Sequence, residues 1–223
     1  FQNNLKISST NLEEVKKILI QLGFKDPSST LKKTASELSG GQKQRICLLL
    51  LLLKKTDLLI LDEPTAALDQ ENAFLLFNFL KVWCKQDKKA VLCISHQGKW
   101  IKELCDHWVD YNPPPIKNQA IYNEEQKNQT VLSLKDICYS YSDKNIISNF
   151  NVKFECGKLY AISGNSGKGK STLGKIISGH LTNYQGLMKG LDFNDQPSTA
   201  PSEILDLWRS TFAYIPQNSF ALL

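Results

Sequence analysis

Leu12, Val15, Ile18 and Leu22 recur at the spacing that puts apolar side chains on one face of a helix. Thr10-Asn11-Leu12-Glu13 reads as a capping box before that helix, and Gly23 stops it. A second helix is predicted from near Ser39 through the leucine block. Asp57 to Asp62 is a short apolar run between polar residues, the mark of a buried parallel strand. Phe74 to Trp83 returns to helical spacing and Ala90 to Ser95 forms another buried strand. A helix through Leu104 and a short strand near Val109 complete this stretch.

Pro113-Pro114-Pro115 breaks the order, and residues 113–129, polar with few apolar anchors, read as a linker. Beyond it the pattern turns to β. Val131, Leu134 and Ile137, then Phe150, Val152 and Phe154, predict strands around a turn at Ser142-Asp143-Lys144. Leu159 to Ser163 is a buried strand and Lys170 to Ser178 a helix. Strands alternating with helices predict an α/β core.

The length, 223 residues with 42% hydrophobic and 22% charged, suffices for one large or two small domains. Net charge is +5, but basic pairs such as Lys32-Lys33, Lys54-Lys55 and Lys88-Lys89 are scattered among acids. They read as solvated helix ends and turns, so no nucleic-acid partner is expected. Six cysteines form no CxxC pair and lie mostly in apolar runs, which predicts buried reduced thiols in a cytosolic protein rather than a zinc site. The longest apolar run, Ile46 to Leu53, is far short of the roughly twenty residues a bilayer span needs. The chain opens on Phe1 and closes on Phe220-Ala221-Leu222-Leu223, so both ends read as cut.

Three segments carry chemistry. Gly164-Asn165-Ser166-Gly167-Lys168-Gly169-Lys170-Ser171-Thr172 fits G-x-x-x-x-G-K-[ST] between a predicted strand and a predicted helix. Its glycines let the backbone curl so that successive N–H groups face phosphates. Lys170 adds charge at the β/γ-phosphates and Ser171 a hydroxyl for Mg²⁺, which predicts binding of a nucleoside triphosphate, ATP. Leu58 to Leu61 lead into Asp62 and Glu63, placing one acid where Mg²⁺ would sit and the other as base for an attacking water. Two acids after a strand also make an ordinary solvated turn, and the pair alone leaves both readings open. Leu38-Ser39-Gly40-Gly41-Gln42 precedes a helix that Ser39 can cap, with its hydroxyl and the glycine amides free to meet an anion.

Taken with Lys43-Gln44-Arg45, the run Leu58 to Pro64 and Thr65-Ala66-Ala67-Leu68-Asp69, these segments resemble the ATP-binding cassette (ABC) ATPases over nearly the whole chain apart from the linker. The resemblance implies a P-loop NTPase (RecA-like) core with a parallel sheet, an α-helical subdomain bearing the signature Leu38 to Gln42, and an antiparallel β subdomain. It further implies ATP contacts from Ser39, Gly40, Gly41, Gln42, Asp69 and the loop Gly164 to Thr172. Glu63 and His96 would be catalytic, and Asp62, Ser171 and Gln217 would serve Mg²⁺. Tyr141 resembles the aromatic that stacks on adenine, with Tyr139 as the alternative. Tyr214-Ile215-Pro216-Gln217 resembles the Q-loop, and Gln97 departs from the Asp that many relatives carry after the histidine.

The motif order is permuted relative to that family: signature, acids and His96 come before the aromatic, the phosphate loop and Gln217. The expected organisation is the rear half of one cassette over 1–112, the linker 113–129, and the front half of a second cassette over 130–223. A natural circular permutation is the rival reading. The resemblance implies an ATP-hydrolysing subunit of an ABC transporter, an importer, peripheral on the cytoplasmic face of the cell membrane. Its partners would be transmembrane permease subunits and a second ABC cassette. The alternative is a tandem cassette ATPase acting on the ribosome, against which Ala66-Ala67-Leu68-Asp69 and the short linker argue. In a tandem protein Lys170 and Ser171 would work opposite Ser39 and Gly41, so neither site would be complete within this stretch. As a chain on its own, the two halves are expected to close into one sheet. Seventeen extended linker residues reach about 55 Å. Asp62 and Glu63 would then lie beside Lys170, with Ser39 remote and the strands before Asp62 and Gly164 as neighbours.

Overall fold

The computed structural model describes residues 9–53, 56–66, 68–96, 98–111, 129–142, 144–190 and 197–217. The prolines and all but the last residue of the expected linker lie outside these, as do Ala67, Gln97 and Asp143.

Helix α1 (Ser9–Gln21) starts one residue ahead of Thr10, so Thr10 lies inside the helix rather than capping it. Its apolar face is buried at Val15 and Leu19. A one-turn helix α2 (Pro27–Thr30) follows, with Asp26 accepting from the Ser29 N–H at 2.9 Å and proline at the helix start, where no N–H is needed. Helix α3 (Gly40–Leu52) begins as the sequence implies. Ser39 Oγ accepts from Gln42 N–H at 3.3 Å while Gln42 Oε1 accepts from Ser39 N–H at 3.0 Å.

Strand β1 (Leu58–Asp62) leads to α4 (Gln70–Gln86), longer than its apolar spacing suggests because Asp69 caps it by accepting from Asn72 N–H at 2.8 Å. Then come β2 (Ala90–Ser95), α5 (Gly98–Leu104) and β3 (His107–Asp110). The later part of the chain adds β4 (Thr130–Tyr141), β5 (Lys144–Glu155), β6 (Leu159–Ser163), α6 (Lys170–Ile177), β7 (Gln185–Gly190), α7 (Ser202–Thr211) and β8 (Phe212–Ile215).

Five strands form a parallel sheet in the order β3-β6-β2-β1-β8. The early and late parts of the chain interleave in it: Val91 to Ser95 pair with Leu159 to Ser163, and Leu58 to Leu61 pair with Phe212 to Ile215. The strands before Asp62 and Gly164 are therefore not neighbours, contrary to the sequence-based expectation. β2 stands between them and hydrogen-bonds to both. Because all three are parallel, their carboxyl ends still open on one edge.

Alternate residues of this sheet enter two cores. Leu58, Ile60, Leu92, Ile94, Tyr160 and Ile162 pack with α6 and with the antiparallel sheet, whose order is β5-β4-β7. Leu59, Leu61, Val91, Cys93, Leu159 and Ala161 pack against α1, α3 and α4. Burial on both faces explains why these strands read as continuous apolar runs. Cys47, Cys84 and Cys93 are buried, whereas Cys105, Cys138 and Cys156 are only partly so. All six are free thiols, and burial pushes Cys84 up to about 11 and Cys105 to about 12.

Candidate nucleotide site

The phosphate-loop sequence links the end of β6 to the start of α6, and its shape depends on glycine. Gly169 caps α6 at φ +95°, and a Cβ there would stand 2.6 Å from Ile146 Cγ2 and 3.2 Å from the Ile146 carbonyl. Gly167 turns at φ +75° into open space. Gly164 lies against the Tyr111 carbonyl so closely that a Cβ would overlap it. Lys170 is buried, and its Nζ donates to the carbonyls of Gly164 at 2.7 Å and Asn165 at 3.0 Å. The ammonium thus lies across the loop, donating to two neutral carbonyls. Gly164→Ala should cost about 2–4 kcal/mol, since the obstructing atom is backbone and cannot swing away. A fall of about 5–15 °C in the thermal midpoint is expected, and an unchanged midpoint would contradict the close approach.

At the end of β1, Asp62 and Glu63 are both buried. Asp62 Oδ2 accepts from the Tyr214 hydroxyl at 2.8 Å, while Oδ1 is buried without a partner. Burial, reinforced by the adjoining Asp62 charge and hydrogen bond, raises Tyr214 above the usual phenol range and keeps it a donor. Glu63 Oε1 accepts from His96 N–H at 3.0 Å and lies 2.8 Å from His96 Nδ1. His96 follows the last residue of β2, so the strand between the two motifs delivers the histidine to the acid.

These elements border one cleft of ≈ 780 Å³. Glu63, His96, Gln217 and residues 163–167 and 169–172 line it, so the acid and histidine of the early chain meet the phosphate loop of the late chain. Ile146 and Ser163 also line it and were missed in the sequence, where neither belongs to a motif. Lys168, Asp62, Asp69, Tyr141 and the segment Ser39, Gly40, Gly41, Gln42 are not among the lining residues. Asp62 lies behind Glu63 on β1, whereas Ser39 caps α3 on the helical layer. Of the two candidate aromatics, Tyr139 is buried in the core and Tyr141 is 71% exposed. Only Tyr141 has a face that a base could reach.

The family model described as ABC transporter matches residues 1–66 and 147–222. The chain belongs to the ABC transporter family. A putative ABC transporter ATP-binding protein of Methanosarcina mazei is 33% identical over 72% of this chain and 37% of its own length. The thiamine import ATP-binding protein ThiQ of Histophilus somni is 32% identical over 48% of this chain and 49% of its own. Elongation factor 3 of Pneumocystis carinii is 26% identical over 82% of this chain and 20% of its own. The chain thus spans well under half the length of the first of these.

Within this ABC chain, Arg45 joins the signature segment to the start of α4. Its guanidinium donates to the Gly41 carbonyl at 3.2 Å, to the Leu22 carbonyl at 2.7 Å and to Asn72 Oδ1 at 3.1 Å, and stacks 4.8 Å from the Phe24 ring centre. Hydrogen bonds from Asn72, first from its backbone, hold the exposed Asp69 carboxyl below the usual range. The oxygen donors suit Mg²⁺, which keeps several waters and takes few protein ligands. The unpartnered Asp62 Oδ1 is a buried carboxylate oxygen that such an ion, directly or through water, would satisfy. No group of three or more His, Cys, Asp or Glu gathers as a metal cage among the described residues.

Proposed function

We propose that this chain supplies the ATP-binding and ATP-hydrolysing machinery of an ABC transporter, an importer, peripheral on the cytoplasmic face of the cell membrane. The observation that carries this reading is the single cleft in which Glu63 and His96 face the phosphate loop and Lys170. In it, Lys170 and the amides around Gly167 and Gly169 bind the phosphates. Glu63 takes the proton of the attacking water, and His96, with Nδ1 engaged by Glu63, can offer Nε2 to the terminal phosphate. Ser171, Gln217 and Asp62 would hold Mg²⁺, which supplies charge neutralisation at the phosphate oxygens. Tyr141 would stack on the base, and Ser39, Gly40, Gly41, Gln42 and Asp69 would face the nucleotide of a second cassette. Lys168 would act from the loop's outer side.

The organisation we favour is the rear of one cassette over 1–112, a linker over 113–129 and the front of another over 130–223. In the longer protein Glu63 and His96 would then meet the phosphate loop of their own cassette in the way they meet the Lys170 loop in this chain. The short share of longer relatives that the chain spans supports this organisation. The kinship with an import ATPase supports the direction. Among the described residues no helix is long and apolar enough to cross a membrane, in keeping with separate permease subunits as partners.

The test is to tag the full-length protein and ask what it enriches and what stimulates it. Mg²⁺-dependent ATP hydrolysis with enrichment of polytopic membrane subunits is expected. Co-sedimentation with ribosomes at the expense of membranes would favour the reading suggested by elongation factor 3.

A further inference from the structure

Glu63 holds an uncommon backbone conformation, with φ +52°. A non-glycine residue stays there only where its surroundings hold it. Its N–H donates to the Ile94 carbonyl at 2.8 Å, fixing one side of the peptide to β2. Its own carbonyl accepts from Ala66 N–H at 3.2 Å, within the turn that follows. A second donor to the same carbonyl is Gln44 Nε2, also at 3.2 Å, which arrives from α3.

Gln44 is a buried polar residue on a helix otherwise filled with apolar side chains at this depth. It stands two residues beyond Gln42, whose side chain closes the capping box with Ser39. The helix end that presents Ser39 to solvent and the peptide that aims Glu63 are therefore joined by one side chain. Gln44 Oε1 is buried without a partner, so the Nε2 bond to the Glu63 carbonyl is what offsets the cost of burying this carboxamide.

We propose that Gln44 is a positioning residue for ATP hydrolysis: it ties the helix beginning at Ser39 to the Glu63 peptide and thereby sets the aim of the Glu63 carboxylate. The proposal rests on Glu63 acting as the base. A displacement of α3 carries the Gln44 amide with it, so the position of the Ser39 segment and the readiness of the base change together.

Gln44→Met keeps the length and approximate volume of the side chain and removes the donor. In the full-length protein kcat for ATP should fall about three- to tenfold, the span of one neutral hydrogen bond, with KM and ATP affinity unchanged. Gln44→Leu also removes the donor, with a smaller apolar side chain, and should show a similar fall; it serves if the Met variant does not fold. In a Glu63→Gln background either change should produce no further loss, because both act through the same group. Wild-type kcat in the folded variants, a lowered melting temperature alone, or an equal fall in the Glu63→Gln background would each overturn the proposal. Failure of the underlying reading looks different: Glu63→Gln by itself would then turn over at the wild-type rate, and the role of Gln44 would go with it.

Discussion

Lys170→Ala in the full-length protein is expected to abolish ATP-dependent turnover at its site and to weaken nucleotide binding sharply. The ammonium is buried, and the contacts of its Nζ are two backbone carbonyls of the loop itself. Those neutral acceptors cannot balance a charge, whereas the β/γ-phosphates can. A triphosphate entering the cleft would draw Nζ from the carbonyls into charge-assisted bonds, which are about twice as strong as neutral ones. Removing one such donor from a developing oxyanion costs about 10²–10³ in rate. Titration with a fluorescent ATP analogue and steady-state ATPase assays measure the two effects. Turnover near wild type, with the melting temperature preserved, would remove Lys170 from the phosphate site.

Glu63→Gln should separate binding from chemistry. The amide keeps an oxygen that can accept from the His96 N–H, so the local fold and ATP affinity should persist. What disappears is the group that accepts the water's proton, a contribution of about 10²–10⁴. Single-turnover hydrolysis should slow by that order while equilibrium binding holds. In a two-site protein the second site sets the residual rate, so the comparison belongs with ATP limiting. A rate matching wild type would reassign Glu63 to a structural role, anchoring His96 at the end of β2.

Much of the fold was legible because its strands are short and buried on both faces. Leu58 to Asp62, Ala90 to Ser95 and Leu159 to Ser163 announce themselves as apolar runs of strand length. Helix α3 was legible at its start from the Ser39 and Gln42 pair, a local signal that needs no tertiary contact. Strand β7 was not, since Gln185–Gly190 has glycine at two of six positions and a weak alternation. Nor was α7, where Ser202–Thr211 buries only Trp208 fully and draws its hold from a bond to the Ile177 carbonyl 31 residues away.

The sequence by itself determined which residues are candidates for phosphate chemistry. Curling a loop around an anion demands glycines at fixed spacing, and a strand end demands its acids immediately after the apolar run. Those requirements are local and visible in order along the chain. Only the tertiary structure decided which of these segments share a site. Parallel pairing set β2 between β1 and β6, brought His96 onto Glu63, and put Ile146 against Gly169. It also set Gln44 on the Glu63 carbonyl, a contact spanning 19 positions that no spacing rule anticipates. The reason is that strand order and side-chain approach depend on how two separate stretches bury their apolar faces together. That choice is made by the packing of the whole sheet.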